Sequence, residues 1–260
     1  MLGSAVSAFA QAPQVNSVVN FASVDNRLSP GSLAIVTGSG FAAGTPTATV
    51  TQGANVRSAW VSPTNANQLT VQIPVDAVAG PATFQVTVAG SSASIAINLS
   101  NYAPGVLSRD STGTGTGSFL HVNNGLSVGL RNPAVPGETI YAFVVGLGPT
   151  NPAVGTGVPA PPSPLANTLT VPTVRVGGVQ ANVTSSVLFP LLVGFYRVGF
   201  VVPAGLPKGR YPVVISIAGH ESNTVELPVV GPFVLGDFNS DDKPDLIWQK
   251  DSNRETWVWY

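Results

Sequence analysis

Glycine and proline punctuate this chain from one end to the other. Its 260 residues include 28 glycines and 23 prolines, spread along the length rather than gathered in one tract. An interior proline removes a backbone donor and clashes with the preceding turn, so long helices are excluded. Between the breakers lie short runs rich in Val, Ile, Thr and Phe, such as Leu33–Thr37 and Tyr211–Ile215, the pattern of many short strands joined by turns. The length suffices for two domains of ordinary size, each with its own core, or for one large barrel.

An internal repeat favours two domains. Ile73-Pro74, Gly80 and Ala89-Gly90 recur as Val202-Pro203, Gly209 and Ala218-Gly219, all at an offset of 129 residues (74 to 203, 80 to 209, 90 to 219). Upstream, Pro30-Gly31 recurs as Pro136-Gly137 at an offset of 106 (30 to 136), and Gly38-Ser39-Gly40 as Gly146-Leu147-Gly148 at 108 (38 to 146). The second copy therefore carries an insertion, located at 148–172, where the sequence GPTNPAVGTGVPAPPSPLANTLTVP predicts an extended surface loop. Such a segment either carries function or is a spacer covering a sheet edge. Phe84, Val86 and Val88 alternate with polar neighbours, as do Ile95, Ile97 and Leu99, which places one face on a core and the other in water. Ala89-Gly90 and Ala218-Gly219 each lie between two such runs and predict hairpins. The fold class that follows is all-β: immunoglobulin-like sandwich domains over 14–100 and 101–230, a leading segment 1–13, and a short hairpin-like acidic segment over 231–260.

Composition limits the function classes. Charged residues make up 9% of the chain against 44% hydrophobic, with a formal net charge of −1, so no basic face exists to neutralise phosphates and nucleic-acid binding is excluded. A surface covered by uncharged polar groups leaves strand edges less protected than usual. There is no cysteine, hence no disulfide framework and no thiolate metal site. No apolar run is long enough to span a bilayer. Residues 1–13 are small and apolar, with Ala8-Phe9-Ala10 and Ala10-Gln11-Ala12 fitting a small-x-small cleavage site, and read as the end of a signal peptide or as a disordered terminus.

Pro136-Gly137-Glu138-Thr139-Ile140, the run Tyr141–Pro149, Pro203-Ala204-Gly205-Leu206-Pro207 and Ser222-Asn223-Thr224-Val225, with Val18–Ser23 and Leu28–Ser32 in the first copy, resemble the Solibacter-type C-terminal domain of large secreted acidobacterial proteins. The resemblance covers residues 15–230. That family is similar to the IPT/TIG group of immunoglobulin-like folds, and it implies a secreted or bacterial cell-surface location without implying an activity.

The last thirty residues differ in character. Six of the 12 acidic residues fall between Asp237 and Glu255, and three of the four tryptophans are Trp248, Trp257 and Trp259. The run Gly236–Trp248 resembles the FG-GAP or VCBS-type repeat of β-propellers, of which about one partial blade is present. Asp237, Asn239, Asp241 and Asp245, with the backbone carbonyl of Lys243, place oxygen donors at alternate positions of a turning loop, which suits one calcium ion. Asp242 stands where related loops carry Gly. The alternative is an acidic turn with no metal.

No catalytic constellation emerges. His220, Glu221 and Ser222 are adjacent in a predicted turn and cannot generally all point at one another as a triad requires. His121 lies in a strand-like run, the acids outside the tail are scattered, and Gly113–Gly117 lacks the lysine and helix of a phosphate loop and reads as flexible loop. Two classes remain: a non-enzymatic binding or adhesion module for a carbohydrate or protein partner, contacting through loops at one end of a sandwich, with Trp60, Phe189 and Phe195 as candidate exposed aromatics; or a subunit of an extracellular filament or sheath that self-associates by strand addition at poorly charged edges.

Overall fold

The computed structural model describes residues 12–230, 246–249 and 256–259. The acidic loop with Asp237, Asn239, Asp241, Lys243 and Asp245 lies outside the described residues, as does most of the leading segment 1–13. The described chain is all-β, with a single turn of 3-10 helix at Phe41–Ala43. Two immunoglobulin-like sandwiches follow one another, and a short hairpin lies beyond them.

The first domain is built from β1 (Gln14–Asn20), β2 (Leu33–Ser39), β3 (Thr47–Gln52), β4 (Asn55–Asn65), β5 (Gln68–Gln72), β6 (Gly80–Val88) and β7 (Ser91–Leu99), in the spatial order β1-β2-β5-β4-β3-β6-β7. The long β4 joins its two layers: Asn55–Ala59 pairs with β3, and Trp60–Asn65 pairs with β5. Pro63 is tolerated within β4 because the ladder is irregular between Pro63 and Asn65. The core is the inward set of the alternation, including Val36, Val50, Leu69, Val71, Phe84 and Val86.

The second domain contains β8 (Gly105–Val106), β9 (Phe119–His121), β10 (Thr139–Val145), β11 (Thr150–Asn151), β12 (Asn167–Thr168), β13 (Thr173–Val176), β14 (Val179–Ala181), β15 (Val183–Leu188), β16 (Tyr196–Val201), β17 (Gly209–Ile217), β18 (His220–Glu221) and β19 (Val225–Val229). One sheet runs β11-β12-β15-β16-β10-β8, with β9 also paired to β10; the other runs β14-β13-β17-β18, with β19 also paired to β17. Ile140, Ala142, Val144, Val198 and Phe200 from the first sheet meet Val174, Val213, Ile215 and Leu227 from the second. Beyond it, β20 (Leu246–Gln249) and β21 (Thr256–Trp259) pair antiparallel.

The repeat is visible strand by strand. β2 and β10 occupy residues 33–39 and 139–145, and β6 and β17 occupy 80–88 and 209–217, matching the two sequence offsets residue for residue. Both hairpins turn through Ala-Gly pairs with positive φ at each position: 49° and 84° at Ala89-Gly90, 48° and 83° at Ala218-Gly219. This is the type I′ geometry, whose twist matches that of the flanking strands.

The insertion departs from the expectation of a plain loop. Its ends form β11 and β12, which extend the sheet at β15, and its middle reaches the first domain: the Val75 amide donates to Thr156 Oγ1 (3.0 Å) and the Gly157 amide to Gln72 Oε1 (2.7 Å). Gly113–Gly117 is also more than flexible loop. Gly115 and Gly117 exchange backbone hydrogen bonds with Glu226 and so cover the outer edge of β19. Ala22, Leu33 and Val145, with Phe21, Trp60, Leu107 and Phe195 around them, form an apolar seam between the domains. Asn20, fully buried, ties this seam: its amide donates to the Arg27 and Ala103 carbonyls, and its oxygen accepts from the Ala22 and Ser23 amides.

Candidate functional site

Strand alternation decides what the second domain shows to solvent. In β10 the residues Ile140, Ala142 and Val144 point inward, so Tyr141, Phe143 and Val145 point outward. In β16 the inward set is Tyr196, Val198 and Phe200, leaving Arg197 and Gly199 outside. Cross-strand register then sets Tyr141 opposite Gly199 and Phe143 opposite Arg197. At one end the stripe is closed, because Val145 is buried in the interdomain seam; Phe143 and Tyr141 continue it half-buried.

The turn between β15 and β16 completes this face. Phe189 stacks on Phe143, with ring centroids 5.6 Å apart and planes at 27°. Phe195 packs edge-on against Phe21 of the first domain at 5.3 Å. Leu191 and Leu192, at the tip, are exposed. Beside them Leu107, Leu120, Phe143, Leu192 and Phe195 line a groove of about 360 Å³, with Arg109 at its rim. Gly199 is a steric necessity: a Cβ there would come within 2.6 Å of Ser185 Oγ and 3.1 Å of the Tyr141 ring, so the glycine lets Tyr141 lie down on the sheet.

Arg197 sits in the middle of the face. Its guanidinium carbon lies 4.4 Å from the centroid of the Tyr141 ring and 5.5 Å from that of Phe189, in cation–π range of both. It makes no side-chain hydrogen bond and no ion pair among the described residues, and its Nε is buried without a partner.

A second concavity, of about 530 Å³, lies between the domains. Gln72, Val75 and Val78 form one wall, and Tyr102, Val154 and Tyr196 another. Its polar groups are already committed to one another: Gln72 Nε2 donates to the Gly31 carbonyl (3.2 Å), the Tyr102 and Thr170 hydroxyls bond at 3.1 Å, and Tyr196 donates to the Gly148 carbonyl. Burial pushes the Tyr196 phenol up from its ordinary pKa, so it stays a neutral donor. A cleft whose donors and acceptors serve its own walls holds domains together more readily than it recognises a ligand.

The aromatics singled out from sequence divide between these roles. Trp60 and Phe195 are spent on the seam, whereas Phe189 belongs to the open face. The aromatic residues described above lie on a sheet face flanked by one turn. Tyr141, Phe143, Arg197 and Arg109 went unnoticed in the sequence, although the alternation of Tyr141-Ala142-Phe143-Val144 carries the signal once its inward set is known. Ser222 Oγ accepts from the Ile215 amide and donates to the Asn223 carbonyl, so its bonds serve the backbone and not His220. His121 is buried, with Nδ1 against Glu138 (2.9 Å) and Nε2 near the Asn132 carbonyl (3.3 Å). Among the described residues no group of three His, Asp or Glu is placed to hold a metal ion, and no helix is long and apolar enough to cross a membrane.

No family model and no curated protein matches the chain. Among solved structures, the Bacteroides ovatus mixed-linkage glucan utilization locus SGBP-B, in complex with a mixed-linkage heptasaccharide, is 12% identical with a TM-score of 0.40, over 93% of this chain and 48% of that one. Surface glycan-binding protein PbSGBP-B from Prevotella bryantii is 12% identical with a TM-score of 0.27, over 96% and 51%. Titin-A168169 is 15% identical with a TM-score of 0.25, over 85% and 100%. The chain spans about half the length of the two bacterial proteins. At such identities and TM-scores the likeness says nothing of what this chain binds, which has to come from its own residues.

Proposed function

We propose that the chain is a secreted or cell-surface, non-catalytic binding module that holds a carbohydrate on the open sheet face of its second domain. The observation that carries this reading is the half-buried aromatic stripe of Tyr141, Phe143 and Phe189 on the outward side of β10 and the adjoining turn. A pyranose ring presents a face of C–H groups that packs against an aromatic ring while its hydroxyls stay in water. Rings already braced by a stacked neighbour lose little side-chain entropy on binding. Affinity electrophoresis through soluble polysaccharides, followed by calorimetry, tests it: Phe189→Ala should weaken any binding by about tenfold. A fully folded chain that binds no polysaccharide in a broad panel would sink the proposal.

A filament or sheath subunit is the second reading, favoured by β7. Ser91–Leu99 runs nine residues in unbroken register with β6, without a charge, a proline or a bulge. Those are the devices that usually block strand addition. In the tail we keep calcium on Asp237, Asn239, Asp241, the Lys243 carbonyl and Asp245, in the acidic segment that leads into β20. Calcium at about a hundredfold over its dissociation constant should stabilise that segment by about 2.7 kcal/mol, read as a rise in its melting midpoint that chelator and Asp241→Ala remove. A melting curve indifferent to millimolar calcium counts against it.

A further inference from the structure

We infer that the carbohydrate held on this face is acidic, with Arg197 selecting a carboxylate-bearing, uronate-type polysaccharide and Arg109 assisting from the rim of the groove. This rests on the carbohydrate reading and adds the charge of the ligand to it.

Arg197 is unlike the other half-buried arginines. Arg27 and Arg57, also half-buried, each have a carboxylate partner, Asp25 and Asp76. Arg175 and Arg131 have none but are exposed, where a lone charge stays hydrated. Arg197 is half-buried between Tyr141 and Phe189 with no ion pair and an orphaned Nε. Its Nη1 and Nη2 also lack a partner among the described residues but, unlike Nε, are not sealed, so an incoming carboxylate can reach them and offset the cost of a half-buried, unpaired cation. Stacking occupies the faces of the guanidinium plane and leaves its edge, the part that binds carboxylates in a bidentate fork.

Among the described residues no acid pairs with Arg197 or Arg109. None of the residues lining the groove is acidic, and Arg109 there donates only a long 3.4 Å hydrogen bond to the Val128 carbonyl. The acids beside Arg109 and Tyr141 along the chain are engaged elsewhere: Asp110 accepts from Thr112 within its own turn, and Glu138 binds His121 and the Val135 amide. A saccharide fits better than an acidic peptide because the cation is flanked by the rings that would carry the sugar faces, and a sugar acid offers both surfaces in one unit.

Calorimetry on the full chain at low salt should compare polygalacturonate with the same polymer after carboxyl reduction, and with polyglutamate. The acidic polysaccharide should bind at least about tenfold more tightly than its reduced form, as a charge-assisted hydrogen bond is worth, and the gap should narrow as salt rises. Arg197→Gln should erase most of that gap while weak binding of the reduced polymer persists, and Arg109→Gln should narrow it less. Arg175→Gln, the same charge loss on the opposite sheet, should change nothing. Equal affinity for both polymers, with Phe189→Ala weakening both, overturns the selection of acid and leaves the carbohydrate reading standing. Polyglutamate binding as tightly as polygalacturonate, indifferent to Phe189→Ala, overturns the carbohydrate and points to a protein partner. No binding to any of the three overturns the selection of a uronate, and the broad polysaccharide panel then decides the carbohydrate reading by itself. If Arg197→Gln fails to fold by circular dichroism, the Arg109→Gln comparison decides: an undiminished gap overturns the inference.

Discussion

The two domains place different residues at the same lattice points. In the first domain, Ile35 stands opposite Thr70 and Thr37 opposite Gln68 on the outer face of β2 and β5. Carried forward by the repeat offsets of 106 and 129, these become Tyr141 opposite Gly199 and Phe143 opposite Arg197. One face is dressed with a short aliphatic and polar groups, and Ser17 from β1 bonds Thr37 across it at 2.7 Å. The other carries two aromatic rings and an arginine. Backbone geometry is common to both, so the difference lies in side chains that folding does not require, which is where binding functions are written.

The closing strands differ in the opposite sense. β7 is long and uncharged and is bridged at its Leu99 end by Leu28, whereas its counterpart in the second domain is split into β18 and β19, carries His220, Glu221 and Glu226, and is covered by Gly115–Gly117 and Ala134. The domain with the aromatic face has its closing edge covered by two segments, and the domain with the plain face has its closing edge covered at one end.

Several substitutions would break or sharpen this contrast. The largest effect belongs to Asn20→Ala, which orphans buried amides and carbonyls on both sides of the seam and should cost about 3 kcal/mol in chemical denaturation. A loss well under 1 kcal/mol would mean the seam does not depend on it. Replacing the second face by the first, with Tyr141→Ile and Phe143→Thr together, should reduce polysaccharide binding by roughly thirtyfold while the domain stays folded. Retained affinity would show that the stripe is not the site. In the matched turns, Gly90→Ala and Gly219→Ala should each cost about 1 kcal/mol, since both glycines have φ above 80° and open space around them. Markedly unequal costs would contradict equivalent turns. The smallest effect on stability, within about 0.5 kcal/mol, is expected for Ala96→Lys on β7, yet light scattering should show any self-association of the chain abolished. Fibres that persist in that variant would rule out β7 as the joining edge.

Much of this architecture was legible in the sequence because Pro-Gly and Ala-Gly pairs leave fixed marks where the backbone must turn, and alternation reports which side of a strand is dry. Strands 33–39 and 139–145 fall where those marks put them. The face was less legible. Trp60 and Phe195 look as available as Phe189 along the chain, but whether an outward ring is covered depends on where the other domain packs, which local pattern does not encode. The insertion hid its role for a related reason: the group that reaches Gln72 is the backbone amide of Gly157, and an amide has no residue type to recognise.

That contact changes how the chain would respond to being cut. Continuity passes from one domain to the other through residues 100–104, but Thr156 and Gly157 bring the second domain back onto the first, so the boundary is crossed once by covalent bonds and again by hydrogen bonds, which Asn20 to Ala103 and Arg27 to Glu221 also supply. A nick at the covalent crossing leaves both halves in one particle on a sizing column, while a nick within the returning segment spares every peptide bond between the domains and leaves the apolar seam and the Asn20 and Arg27 contacts to hold them.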